Sequence, residues 1–429
     1  MFGFANFLLL VLFAAAVFDL IFALARGGGL RGALHGLWNT PHLLFGQQLA
    51  EWRLQLGRIL FAAGLAAYEI SVVFCNSMAR QNWAWVQGVM SPVLEWLAFL
   101  CFGAKILFGT RYTWRELLAG GALYFVARWV YFNSQNIWWI GIVVAVLAAK
   151  DVPLRRPLQV YFASGCAAMA VVLALHFAGI VAPDLTSERM GALRGTYGYG
   201  HPNTFGGLVF GLVLAYALLR AQKVRWVDCL LVFAVGVFLL VGPASRSAAL
   251  CTLALAVGLV FCRLRAGHSV PRWWPGTCAG MVGLTAAVSY LLPLLVIKVG
   301  PWNNDIGPAW LAKLDSLLTC RISLTWMAYR LLDVKIAGQV FNWPTVDNSF
   351  AFALFQFGPV VAALLGILFA AALWGHAKQG RRVEVCCLFA MLAYAYMEVQ
   401  PFHLTTNPTA LLLCGAVFAQ TSARWQKIE

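Results

Sequence analysis

The segment from residue 194 to residue 207 carries side chains and glycines in a pattern that suits an anion-binding turn. Arg194 begins it, and a run of Gly, Thr and Tyr residues leads to His201, Pro202 and Asn203. Glycines permit tight turns and the close approach of a ligand. Pro202 suits the first turn of a helix, whose free N–H groups attract negative charge. A tight turn at the membrane interface is the alternative, but Arg194, His201 and Asn203 together favour an anion site.

Two further arginines stand where an apolar environment is expected. Arg246 lies in a turn of a few residues between two apolar runs, where it can either reach the lipid headgroups or fold inward. Arg321 falls near the middle of the apolar stripe of a helical pattern that runs from residue 309 to residue 332. An arginine there is costly unless it meets an anion or a partner. Contact with lipid phosphate is the alternative, and an anionic ligand is the favoured interpretation.

Carboxylates and a second histidine complete the set of candidate site residues. Asp347 and Asn348 stand directly before an apolar run. Asp347 is therefore either the cap of a helix or a group that takes a proton or holds a cation or a sugar hydroxyl. Glu398 is expected inside the end of a span, where a carboxylate is a functional candidate, and His403 lies in the turn that follows. Several arginines with few acids indicate a strongly anionic ligand, such as a lipid-linked pyrophosphate.

The composition determines the kind of protein that positions these residues. Apolar residues make up 62% of the 429-residue chain and charged residues 11%, which excludes a soluble globular enzyme, a disordered chain and a fibrous repeat protein. The net charge of +15 is typical of basic cytoplasmic loops in a membrane protein, so no nucleic-acid partner is expected. The 11 cysteines show no CxxC pattern and are interpreted as small buried side chains, with neither a disulfide framework nor a metal site.

Continuous apolar runs predict an all-α polytopic membrane protein with about 12 to 13 transmembrane helices. The chain is expected to form a single membrane domain over residues 1–429, with one large loop, 298–348, that is extracytoplasmic and ordered. The 13 predicted spans are 4–25, 57–76, 93–109, 116–134, 136–149, 158–181, 204–220, 226–243, 247–263, 276–297, 349–374, 384–400 and 407–421.

Lysine and arginine predict the orientation of these spans. One set of alternate loops carries 20 Lys and Arg residues in short, dense groups, and the opposite set carries nine. The first set is therefore predicted to be cytoplasmic, with the C-terminus inside and the candidate site residues at the outer mouth of the cytoplasmic membrane. The loops of the first set are 26–56, 105–115, 150–157, 220–225, 263–275, 378–382 and 422–429.

Taken in order, five short motifs resemble those of the O-antigen ligase and polymerase-like family, of the Wzy type that builds capsular or exopolysaccharide. Cys320 stands where the loop-helix motif of this family usually has Gly, and the sequence lacks the His that ligases commonly carry before Asn348. The motifs are Tyr-Gly-Tyr-Gly-His-Pro-Asn-Thr-Phe-Gly at 197–206 with Arg194 before it, Ser-Arg-Ser at 245–247, the leucine-rich run 313–322, Asp-Asn-Ser at 347–349, and Glu398 with Asn407.

The resemblance implies a membrane glycosyltransferase of the C type that needs no metal or cofactor. Its donor would be undecaprenyl-pyrophosphate-linked oligosaccharide, and a flippase and a chain-length regulator would be its partner proteins in the membrane. A ligase that transfers glycan to another acceptor and a transporter of an anionic lipid or solute are the alternatives. The expected roles are catalytic base for His201 or Asp347, pyrophosphate binding for Arg194, Arg246 and Arg321, and substrate binding for Asn203, Asn348, Glu398 and His403.

Overall fold

The computed structural model describes residues 2–26, 29–45, 50–181, 187–189, 192–296 and 307–418. The protein is all-α, with 76% of the described residues helical. Within the described residues, seven helices are long and apolar enough to cross a membrane, and four shorter apolar helices accompany them. The expected class, an all-α protein with several membrane-spanning helices, is therefore confirmed, while seven is fewer than the 13 predicted spans.

Helices make up nearly all of the regular structure in the described ranges. They are α1 (Phe2–Ala25), α2 (Gly29–Asn39), α3 (Ala50–Cys75), α4 (Ala79–Asn82), α5 (Ser91–Phe108), α6 (Trp114–Ser134), α7 (Ile137–Ala148), α8 (Arg155–Phe177), α9 (Pro202–Leu219), α10 (Trp226–Val241), α11 (Arg246–Leu264), α12 (Trp274–Leu291), α13 (Ala309–Leu317), α14 (Arg321–Leu331), α15 (Ser349–Phe352), α16 (Pro359–Lys378), α17 (Arg382–Met397) and α18 (Cys414–Val417).

Two short antiparallel pairs of strands lie between the helices, and the first of them joins two basic loops. Strand β1 (His42–Leu43) pairs with β2 (Arg111–Tyr112), and β3 (Ser187–Arg189) pairs with β4 (Ala192–Arg194). The pairing of β1 with β2 brings together loops that the Lys and Arg distribution assigns to the same side. At the opposite end of the helices, the amide of Met78 donates to the carbonyl of Gly198 at 2.8 Å, which joins two loops of the other set.

Helix α9 is the central element of the bundle and brings the site together. Of its 18 residues 13 are buried, and it packs against α8, α11 and α17. A methyl group added at Gly211 would lie 2.7 Å from the carbonyl oxygen of Thr405, so only glycine lets the segment after α17 pack this closely on α9. Pro202 at its first turn and His201 as its cap fix where α9 begins.

The helix expected over residues 309–332 is interrupted, which corrects the prediction. It forms α13 and α14, separated by Thr319 and Cys320, which have φ values of +62° and +63°. These left-handed values end α13 and start α14 in a new direction, so Arg321 occupies the first turn of a helix and not the middle of one. Residues 307–348 of the large loop are described, and 298–306 lie outside the described residues.

The span expected at 349–374 is also broken. A short helix, α15, continues into a π-helical turn at residues 353–357 and stops at Gly358, after which α16 begins. Gly358 has a φ of +88°, and a methyl group there would lie 2.1 Å from the carbonyl oxygen of Ile336. The break therefore depends on glycine, and it places α15 beside the end of the large loop.

The last predicted span, 407–421, differs most from its expected form. Residues 408–413 form a 3₁₀ helix and α18 adds only four residues, while 419–421 lie outside the described residues. Asn407 accepts a hydrogen bond from the amide of Ala410 at 3.1 Å and so caps this segment. A 3₁₀ helix rises about 2 Å per residue, more than an α-helix, so a short segment covers more of the membrane thickness.

Candidate functional site

A chain of polar contacts links the candidate residues at the end of the bundle where α9 and α11 begin and α17 ends. Asn203 accepts a hydrogen bond from the guanidinium of Arg194 at 3.0 Å and donates one to Glu398 at 3.1 Å. Glu398 in turn lies 2.5 Å from the guanidinium of Arg321, and Arg321 lies 3.9 Å from Asp347. Five residues from four separate segments of the chain thus form one connected cluster.

Glu398 is the centre of this cluster. One oxygen of its carboxylate accepts hydrogen bonds from Arg321, from Asn203 and, at 2.8 Å, from the hydroxyl of Ser247. Its side chain is only 6% exposed. The sequence places Glu398 inside the end of a span, but α17 ends at Met397 and Glu398 lies one residue beyond it, with an extended backbone. That position turns the carboxylate toward α9 and α11.

The environment of Glu398 makes its charge depend on its neighbours. Burial raises the pKa of Glu398 to about 7, and the guanidinium of Arg321 opposes that rise, as does the hydrogen bond from Ser247. The carboxylate of Asp347 acts in the same direction as burial. Contact with Arg321 therefore favours the ionised form of Glu398, and burial favours the neutral form.

Arg321 is held by protein groups on all sides of its guanidinium. Nε donates to the carbonyl of Met397, Nη1 donates to the carbonyl of Leu318 at 3.0 Å, and Nη2 binds Glu398. The side chain is 6% exposed, which is not the arrangement of an arginine that reaches out to lipid phosphate. The guanidinium therefore fixes the end of α17 to the loop helix α14.

His201 and Asp347 are the accessible members of the site. The side chain of Asp347 is 30% exposed, and His201 is exposed at the start of α9. Nδ1 of His201 accepts a hydrogen bond from the amide of Asn203 at 3.1 Å. Partial desolvation and then the charge of Arg194 lower the pKa of His201, while Asp347 acts to raise it, so all three groups interact electrostatically.

The remaining candidate residues take other positions. Asn348, and not Asp347, caps α15, because its side-chain oxygen accepts from the amides of Phe350 and Ala351 at 2.9 and 3.2 Å. Arg246 is half-buried as the first residue of α11, directly between Ser245 and Ser247.

His403 does not join the polar cluster. Its ring lies 3.7 Å from that of Trp138, centre to centre, and burial lowers its pKa to about 3. In the described part of the chain, the Nδ1 atom of His403 has no hydrogen-bond partner. An uncharged ring against an indole is not placed to bind the anion that the other candidates suggest.

Three serines belong to the site although the sequence did not single them out as site residues. Ser247 binds the carboxylate of Glu398, and Ser245 lies 3.5 Å from the side-chain oxygen of Asn203. The hydroxyl of Ser349 donates to the carbonyl of Glu398 at 2.5 Å. Their positions in the motifs Ser-Arg-Ser at 245–247 and Asp-Asn-Ser at 347–349, beside Arg246 and Asn348, could have identified them.

The site is bordered by apolar surface, and its described residues offer no set of metal ligands. A cavity of about 100 Å³ between α7, α12, α16 and α17 reaches Ser349 and Asn407. No group of three or more His, Cys, Asp or Glu side chains among the described residues could hold a metal ion.

Comparison with protein-family models, with curated proteins and with solved structures finds no match for the chain.

Proposed function

We propose that the protein is a membrane glycosyltransferase of the C type that joins lipid-pyrophosphate-linked oligosaccharide repeat units into capsular or exopolysaccharide. The observation that carries this proposal is the cluster around Glu398. It joins Arg194, Asn203, Arg321 and Asp347 to Glu398, and these five residues come from four of the motifs that resemble those of O-antigen polymerases. Polar side chains thus connect residues 307–348 to the start of α9 and the end of α17.

The conformation of Cys320 is a second support for the resemblance. Its φ of +63° and ψ of +22° are left-handed, a conformation that glycine adopts most readily. The motif of the family usually has Gly at this position. A left-handed backbone at the position where that family usually has Gly supports the resemblance of the loop helix.

Two helix N-termini and two arginines supply the positive charge for a pyrophosphate leaving group. Helices α9 and α11, of 18 and 19 residues, begin at the cluster, so their dipoles favour an anion there. Arg194 and Arg246 lie at these two starts. Charge that grows on the departing pyrophosphate would be stabilised by donors already in place. Arg321, bound to Glu398, is assigned to holding the site together.

The geometry favours Asp347 over His201 as the base that takes the proton from the acceptor hydroxyl. The lowered pKa keeps His201 neutral at neutral pH, and its Nδ1 is an acceptor for the amide of Asn203. A neutral ring with Nδ1 as acceptor carries its proton on Nε2, so the outward atom is a donor. His201 would therefore donate to a phosphate or sugar oxygen, and the exposed carboxylate of Asp347 would accept the proton.

Lipid-linked substrate also requires an apolar path to the site. The cavity of about 100 Å³ that reaches Ser349 is lined mainly by aliphatic and aromatic side chains of α7, α12, α16 and α17. Undecaprenyl-pyrophosphate-linked oligosaccharide has an apolar chain that such a surface suits. A flippase that delivers this substrate and a chain-length regulator are the partner proteins that the proposal implies.

The deciding experiment is incubation of the purified protein with a lipid-linked repeat unit in liposomes. A ladder of products that differ by one repeat unit is expected. Transfer of a single glycan to a different acceptor would instead assign a ligase, and movement of the lipid without a new glycosidic bond would assign a transporter. Glycan products are separated by gel electrophoresis, and movement is followed by protection of the lipid from an added glycosidase.

The proposal places the C-terminus in the cytoplasm and the cluster at the outer face of the cytoplasmic membrane. Phe418 packs against Tyr112 at 6.3 Å between ring centres and lies 5.6 Å from the ammonium of Lys150, and both partners belong to basic loops. The described chain thus ends beside loops that carry the excess of positive charge. This agrees with a cytoplasmic C-terminus, since basic loops remain inside.

Labelling of single cysteines on a cysteine-free background checks this topology. With a reagent that does not cross the membrane, Arg330→Cys is expected to react in intact cells and Lys223→Cys only after permeabilisation. Both parent side chains are exposed, so accessibility to solvent is matched. Reaction at 223 without reaction at 330 in intact cells would show that the orientation is inverted.

A further inference from the structure

A second polar cavity opens at the end of the bundle opposite the Glu398 cluster. It has a volume of about 920 Å³ and lies between the starts of α8 and α17, the last turns of α9, α11 and α16, and the adjoining loops. Sites that bind small molecules commonly occupy about 300–1,000 Å³. We call it the basic cavity. Since α9 has 18 residues, the two ends are about 27 Å apart along it.

The basic cavity is defined by its charge. Seven lysine and arginine side chains line it together with one carboxylate, Glu384. The seven are Arg155, Arg220, Lys223, Arg225, Arg263, Arg381 and Arg382. The preference for basic residues in cytoplasmic loops explains their sign. That preference does not explain why seven basic side chains from five helix ends lie around one space. Like charges repel when they are brought together, which disfavours this arrangement.

Some of these cations are used within the protein. Arg220 forms an ion pair with Asp228 at 3.1 Å, and Arg382 donates to the carbonyls of Arg265 and His268. These contacts hold the turns that form the wall of the basic cavity. They leave the other side chains to determine what the space can bind.

At least three of the cations remain available to a ligand. Within the described ranges, the side chains of Arg155, Lys223 and Arg263 make no hydrogen bond or ion pair, and all three are exposed. They belong to three different elements, α8, the turn after α9, and α11. A ligand with a single small anionic group would neutralise only part of this charge, so a ligand with several such groups fits better.

We infer that the basic cavity binds an anion that carries two or more phosphoryl groups. Arginine binds phosphate through paired donors, and lysine binds it as a point charge. Basic pockets between membrane helices on the cytoplasmic side suit phosphorylated lipid headgroups, and a soluble polyphosphate offers the same chemistry. This inference is independent of the proposed glycosyl transfer, which takes place at the opposite end of α9.

Binding to the purified full-length protein tests the inference. The soluble arm measures inorganic pyrophosphate and tripolyphosphate by calorimetry in a neutral detergent. The lipid arm compares cardiolipin with phosphatidylcholine in nanodiscs by native mass spectrometry. We expect saturable binding in at least one arm, and the arm that binds identifies the source of the phosphate. Absence of saturable binding in both arms would overturn the inference.

A matched pair of triple variants separates a built site from general positive charge. Arg155→Gln/Lys223→Gln/Arg263→Gln should weaken the binding at least about tenfold. Arg31→Gln/Arg156→Gln/Arg272→Gln removes the same charge from exposed positions outside the basic cavity and should leave the dissociation constant within about twofold. Equal weakening in both would refute the site. Should the first triple variant not fold, Lys223→Gln and Arg263→Gln tested singly retain the comparison.

Discussion

Replacement of Arg321 by alanine is expected to lower the free energy of unfolding by about 3–5 kcal/mol, because it leaves Glu398 buried without its cationic partner. The carboxylate is 6% exposed, and Arg321 is the main group that favours its ionised form against burial. The same change removes the bonds from Arg321 to the carbonyls of Leu318 and Met397. Reversible denaturation in mixed micelles, followed by tryptophan fluorescence, measures the effect.

Arg330 provides the control on the same helix. It is exposed, and its guanidinium lies 5.7 Å from the ring of Trp326, so Arg330→Ala should cost less than about 1 kcal/mol. The double variant Arg321→Met/Glu398→Gln removes both charges together and should recover at least half of the loss. An Arg321→Ala protein as stable as the Arg330→Ala protein would show that the buried pair does not hold the loop helix.

Lysine at position 321 separates charge from geometry. It keeps the positive charge but offers one nitrogen, whereas arginine supplies donors to Glu398, Leu318 and Met397 at the same time. Loss of these contacts should displace the site, so in the liposome assay Arg321→Lys should lose about a hundredfold in rate while Arg330→Lys remains near the parent rate. A near-normal rate for Arg321→Lys would limit the role of Arg321 to its charge.

The members of the site could be found from the sequence, but their partners could not. Arg321 and Glu398 were both recognised as charges in apolar surroundings, which the physical cost of burial makes conspicuous. Nothing in the local pattern shows that residues 77 positions apart bind each other. The sequence therefore favoured a ligand for Arg321, while the structure gives it a carboxylate of the protein. The periodicity of a sequence shows which face of a helix is apolar, but it does not show which other segment packs against that face.

Breaks in helices account for most of the differences in the fold. Helical periodicity continues through Cys320, yet its left-handed backbone ends one helix and starts another. An ordinary side chain gives no sign of such a conformation, whereas Gly358 could have marked the second break. Most of the other spans lie within a few residues of their predicted bounds because apolar length alone defines them.

Asp347→Asn is expected to slow polymer growth about a thousandfold while the protein remains folded, since a general base contributes about 10²–10⁴ in rate. The side chain is 30% exposed and its contact with Arg321 is long, at 3.9 Å, so an amide of the same shape should fit without disturbing the buried pair. The rate of repeat-unit addition in liposomes is the measurement, with thermal unfolding as the check on folding. Asp333→Asn is the matched control, because Asp333 is an exposed carboxylate just past the end of α14.

His201 is the rival base, and His201→Asn tests it without removing the start of α9. Asparagine caps helices well, so it can replace the acceptor that His201 provides to the amide of Asn203. If His201 only donates a hydrogen bond from Nε2, this variant should lose about tenfold, the effect of one ordinary hydrogen bond. If His201 takes the proton instead, His201→Asn should be nearly inactive and Asp347→Asn should retain most of its rate. That reversed order would remove Asp347 as the base and require the imidazole of His201 to release the amide of Asn203 during each transfer.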